Sequence, residues 1–103
     1  MIYTGFITCK DTAEARKIVQ KLLQKKLIAC GNIIPAIESH FWWEGKIDTS
    51  NEVLLLVKTV EKNVNKVIQE TTKLHSYDLP AIEFIQVAKA EDKLANWIKK
   101  STE

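Results

Sequence analysis

Between Ile28 and Val57 the chain carries two extended apolar stretches joined at Glu44-Gly45 by a turn signal. Strands on either side of a short turn pair with each other, so the pattern requires a long antiparallel hairpin. The first arm, Ile28 to Phe41, is apolar and β-branched over much of its length and holds Pro35. Proline cannot donate to a ladder, so this arm belongs at a sheet edge or contains a bulge. The second arm resumes at Ile47 and continues into Val53-Leu54-Leu55-Leu56-Val57.

The segments around the hairpin fix the rest of the fold. Ile2 to Thr8 is rich in β-branched and aromatic residues and reads as a strand. Asp11 followed by Glu14 resembles a capping box, after which Ala15, Ile18, Val19, Leu22 and Leu23 recur at helical spacing. That predicts a first helix to about Lys26. A second begins after Thr59, with Val64, Val67, Ile68, Thr71 and Leu74 on one face, and ends near His75. Ile82, Phe84 and Ile85 supply a fourth strand behind Pro80, and Ala90 to Lys100 a closing helix. The order β-α-β-β-α-β with a terminal helix is that of an α+β, ferredoxin-like sandwich. Two helices cover one sheet face. The other face carries more apolar surface than the chain can cover, and calls for subunits or a ligand.

Composition narrows the function. A chain of 103 residues with 46% apolar content suits one domain over residues 1–103. Fifteen basic residues against thirteen acidic ones give a net charge of +2, too balanced for nucleic-acid binding. No window approaches the roughly 20 apolar residues that span a bilayer, so no membrane partner is expected. Met1 to Phe6 lacks a basic start and a long apolar run, which argues against an export signal and for a cytoplasmic location. In a reducing compartment Cys9 and Cys30 stay free thiols. Three glycines, Gly5, Gly31 and Gly45, leave no room for a dinucleotide fingerprint or a P-loop, and no organic cofactor or enzymatic activity is expected.

Four blocks then carry a resemblance: Ala29-Cys30-Gly31-Asn32-Ile33-Ile34-Pro35; Ser39-His40-Phe41-Trp42-Trp43-Glu44-Gly45-Lys46; Glu52 with Lys58-Thr59; and His75-Ser76-Tyr77-Asp78-Leu79-Pro80. Together they resemble the CutA-type divalent-cation tolerance family, from Thr8-Cys9-Lys10-Asp11 to Trp97. The resemblance implies a homotrimer built through the long hairpin, similar in architecture to the PII signalling trimers, and a link to copper and other divalent cations. The chain departs from the family at Ser76 (usually proline), Phe41 (usually tyrosine), Gly31 (usually larger) and Leu94 (commonly tyrosine).

Three residues are candidate metal ligands. His75 offers an imidazole, the commonest protein ligand for copper and zinc, although a histidine closing a helix also caps carbonyl groups. Cys9 precedes a helix N-terminus, a position that lowers thiol pKa and predicts the more reactive cysteine. Cys30, in a strand beside Ala29 and Gly31, reads more readily as a small apolar filler. No pair has metal-motif spacing, so a site must combine distant residues or subunits. His40 ranks behind these, with packing or a trimer-surface role preferred. Trp42 and Trp43 face opposite ways along a strand and suit subunit contacts. The resemblance places Tyr77, Glu52, Lys58 and Trp43 in an intersubunit cleft, where a PII-like module would bind a small ligand.

Overall fold

The computed structural model describes residues 1–103. Its elements run β1 (Ile2–Cys9), α1 (Thr12–Gln24), β2 (Cys30–Trp43), β3 (Lys46–Val60), a 3₁₀ turn (Glu61–Asn63), α2 (Val64–Leu74), β4 (Ile82–Gln86) and α3 (Asp92–Ser101). The strands form one antiparallel sheet in the order β2-β3-β1-β4, the ferredoxin-like arrangement.

Both readings of Pro35 hold together. β2 is the edge strand, and its register with β3 slips between Ile34 and Ile37, where Ala36 takes φ 62°. The hairpin closes at Trp43 and Lys46 through Glu44 (φ 50°) and Gly45 (φ 78°), whose paired positive φ values make a type I′ turn matched to strand twist.

Helix α1 ends at Gln24, short of Lys26, because Lys26 turns left-handed at φ 57°. The N–H groups of Lys26 and Leu27 return to the carbonyls of Leu23 and Leu22, the Schellman pattern, with lysine where glycine is usual. The second helix starts later than its pattern suggested. Thr59 and Val60 stay in β3, opposite Tyr3 and Ile2, and both are buried.

Strand alternation sorts the side chains. Ile7, Cys9, Val53, Leu55 and Val57 point to the face packed by Ala15, Ile18, Val19 and Leu22 of α1 and Val67 of α2. Gly31 lies under that layer, where a Cβ would stand 2.2 Å from Val19 Cγ2, so β2 and α1 approach closely because position 31 has no side chain. On the opposite face, α3 seats Ile98 on Ile2 and Val60 at one end of the sheet. The remainder of that face stays open: Phe6, Leu54 and Leu56 are half-buried, and Ile34 and Ile85 exposed. Only Trp43, Lys46 and the paired residues back to Ile37 and Glu52 extend beyond the end of β1, which stops where Cys9 meets Val53.

Candidate metal centre

Three turns of chain meet at the C-terminal end of β1. Cys9 is the last strand residue; Asp11 caps α1 by accepting the Glu14 N–H at 2.8 Å; and Glu14 stands in the first helical turn. α2 delivers His75 as its C-cap residue, the backbone N–H of which still bonds Thr71 O at 2.9 Å. Donor atoms of Cys9, Glu14 and His75 thereby lie within 4.8 Å of one another.

The polar atoms of this cluster already have partners. The Tyr77 backbone N–H donates to His75 Nδ1 at 3.1 Å, so the ring proton sits on Nε2, which donates to Thr8 O at 2.7 Å. The imidazole caps a strand carbonyl, not the helix carbonyls its position suggested, and its side chain has no solvent exposure. Glu14 Oε1 accepts the Lys10 N–H at 3.0 Å and Oε2 the Ser76 N–H at 2.9 Å. Burial pushes the Glu14 carboxyl up, but the hydrogen bonds from Ser76 and Lys10, with His75 nearby, outweigh it and leave its pKa below the ordinary value.

Cys9 reverses the expectation of a reactive thiol. It is fully buried, and burial, reinforced by the charges of Glu14, Glu52 and Asp11, pushes it up to about 12. Desolvation of the thiolate outweighs the helix N-terminus. Beside it, the Tyr77 ring lies 4.8 Å from that of His75 and its hydroxyl donates to Glu52 Oε2 at 2.8 Å. Burial and the Glu52 carboxylate hold that hydroxyl well above the ordinary tyrosine value, as a donor.

The other candidates stand apart. Cys30 pairs with Lys58 and points to the open sheet face, whereas Cys9 points to the helix face, so the two thiols cannot meet at one site within a chain. Lys58 Nζ reaches Asn32 Oδ1 at 3.4 Å on that open face. Trp43 sits at the hairpin turn. Of the four cleft candidates, the fold brings together Tyr77 and Glu52 and leaves Lys58 and Trp43 elsewhere. Glu14 was visible only as a helix cap; its bond to Ser76 crosses 62 positions, and no local spacing announces it.

The donor set, a thiol, an imidazole and a carboxylate, suits a thiophilic or borderline cation better than magnesium or calcium. A histidine that donates one ring N–H to a carbonyl and offers the other nitrogen is oriented as metal-binding histidines are. Here neither ring nitrogen is free: Nε2, 3.9 Å from Glu14 Oε1, donates to Thr8 O, and Nδ1 accepts the Tyr77 N–H, while the thiol keeps its proton, so uptake of a cation must displace that proton and one of the two ring hydrogen bonds.

The sequence model of the CutA1 divalent ion tolerance protein family matches residues 3–101. The chain belongs to this family. It is 40% identical over 98 residues to the divalent-cation tolerance protein CutA of Archaeoglobus fulgidus, covering 95% of each chain. It is 33% identical over 97 residues to the chloroplastic CutA of Arabidopsis thaliana, spanning 53% of that protein. Among solved structures, the periplasmic divalent cation tolerance protein CutA of A. fulgidus superposes with a TM-score of 0.97 at 39% identity, covering 100% of both chains. The divalent cation tolerance protein Cut A1 of Thermus thermophilus gives 0.97 at 31% identity, again over 100% of both. This CutA chain shares the fold of those proteins along its whole length, and no helix in it is long and apolar enough to cross a membrane.

Proposed function

We propose that this CutA chain works in divalent-cation tolerance as a homotrimer that binds a thiophilic cation, copper first among them, through Cys9 and His75 with Glu14 beside them. The reading is carried by the convergence of a thiol, an imidazole and a carboxylate, all buried, with donor atoms within 4.8 Å of one another. A bound cation would supply positive charge to that cluster; the chain would supply a soft thiolate and an oriented imidazole. The homotrimer reading is supported by the apolar row of Phe6, Leu54, Leu56, Ile34 and Ile85 on one sheet face, the first three half-buried and the last two exposed, a surface suited to burial against another subunit.

Copper in both oxidation states, titrated into the wild type and into His75→Ala while light scattering reports subunit mass, tests the proposal. Saturable binding to a trimer that His75→Ala abolishes is the expected result. Because the Cys9 thiol is held up to about 12, each cation must displace its proton. Affinity should therefore rise about tenfold per pH unit across neutrality, and Cys9→Ser should remove that dependence. Binding that never saturates, or that ignores both substitutions, would overturn the metal reading.

The saturation of the same donors favours a second reading, a PII-like module. His75, Glu14 and Tyr77 would then act as a fixed frame, and a small ligand would sit in the cleft between subunits beside Tyr77 and Glu52. Ligand-dependent change in the hairpin would support it.

A further inference from the structure

Where the hairpin leaves the body stands the only buried residue of its two-stranded ribbon. From Ile37 to Glu52 every residue is exposed or half-buried except Glu52, which is 8% exposed. The Tyr77 hydroxyl, from the loop after α2, donates to its Oε2 at 2.8 Å. No other side-chain hydrogen bond ties the ribbon to the rest of the chain: those of Glu38 with His40, Asp48 with Thr49 and Ser50 with Asn51 stay inside it. Glu52 also marks a joint. β1 ends opposite Val53, one residue short of it, and on β2 Pro35 and Ala36 together face Val53 as a bulge before pairing resumes at Ile37 and Glu52. A ribbon that joins its sheet through a bulge bends and frays there more readily than a continuous one.

Tyr77 is held in turn by the body. Its N–H donates to His75 Nδ1 at 3.1 Å, its ring lies 4.8 Å from the imidazole, and His75 Nε2 donates to Thr8 O at 2.7 Å. A chain of contacts thus runs from the end of β1 through His75 and Tyr77 to Glu52, bypassing the interrupted ladder. We propose that Tyr77 and Glu52 form a latch over the bulge, and that the latch carries the position of the buried imidazole to the hairpin. Closed, it fixes the ribbon base to the body. Open, it leaves a buried carboxylate without its donor, so Glu52 turns to water and the joint at Ala36 is free to bend. The latch contains no ligand, so it stands whether or not the cluster takes up a cation. In the proposed homotrimer, built through the hairpin, it would make the subunit contact answer to the state of His75.

Amide hydrogen exchange of the full chain, resolved by residue, reads the latch. Tyr77→Phe keeps the ring and removes only the hydroxyl. Ribbon amides from Ile37 to Asn51 should then exchange at least about tenfold faster, as when a buried charged group loses its hydrogen bond, while those of Ile7 and Leu55 stay within about twofold. Glu52→Gln keeps an acceptor oxygen for the phenol and should retain most of the protection; Glu52→Ala should lose it, and adding Tyr77→Phe to Glu52→Ala should change nothing more. His75→Ala should loosen the ribbon in the wild type but not in Tyr77→Phe, and His75→Asn, whose amide oxygen can accept the Tyr77 N–H in place of Nδ1, should restore part of the protection. Tyr3→Phe, which removes a hydroxyl bonded to Glu61 and Gln86 at the far end of the sheet, should leave the ribbon unchanged. The same comparison in a Leu56→Lys background removes protection supplied by a neighbouring subunit. Ribbon exchange that Tyr77→Phe leaves unaltered in both backgrounds, acceleration spread equally over ribbon and body, or a His75→Ala effect that survives in full in Tyr77→Phe would each overturn the proposal.

Discussion

Glu14 joins three parts of the chain through one carboxylate: its own helix start, the residue after β1, and the loop after α2. Its pKa is lowered in the fold despite burial. A carboxylate with a depressed folded pKa adds stability above its unfolded value, and that contribution disappears as pH falls through the folded one. Glu14→Gln should therefore lower stability by about 1–3 kcal/mol at neutral pH, since an amide accepts only one of the two N–H groups and presents its own donor to the other. The gap in Tm between the two proteins should close as pH drops below the ordinary value of 4.5; a constant gap would mean that the carboxylate charge is not what matters. At this scale the sequence was half legible. Asp11 and Glu14 announced a helix start because capping is local, whereas Ser76 finds Glu14 only after α2 has packed. Cys9 misled for a related reason: its place before a helix is written in the sequence, but its depth beneath α1 and α2 is not.

At the level of elements, the hairpin, both main helices and the fourth strand were readable because their periods and turn residues are local properties. Pro35 even marked both the edge and the bulge. The boundary of α2 was not, since Thr59 and Val60 are drawn into β3 by pairing with β1, a partner far away in sequence. Gly31 shows how one position sets the spacing between layers. With a Cβ 2.2 Å from Val19 Cγ2, Gly31→Ala should cost about 1–3 kcal/mol, measured by denaturant unfolding, and Val19→Ala in the same chain should recover part of the loss by making room. A neutral Gly31→Ala would show that α1 floats freely over β2. The terminal helix was foreseen, but its seat on the opposite face was not, because a short amphipathic pattern does not say which surface it will choose.

For the whole molecule, the open row of Phe6, Leu54 and Leu56 is the feature that a separate chain explains least well. Leu56→Lys places a charge in the middle of it; if the proposed homotrimer is built on this row, light scattering at micromolar concentration should report a trimer for the wild type and a monomer for Leu56→Lys, with the fold of the body kept, whereas an unchanged mass would locate any contact elsewhere. Residues 37–52 reach past the end of β1 as two strands alone, and a two-stranded ribbon is marginal in water by itself. The chain therefore comprises two regions of unequal cooperativity. The body, closed by two core clusters, should unfold as one unit in denaturant, followed by circular dichroism. In the proposed homotrimer the ribbon would gain a neighbour to lie against, so in a monomeric Leu56→Lys protein its amides should exchange with solvent orders of magnitude faster than those of Ile7 or Leu55. The hairpin would then serve as a gauge of association, firm in company and loose when the subunit is alone.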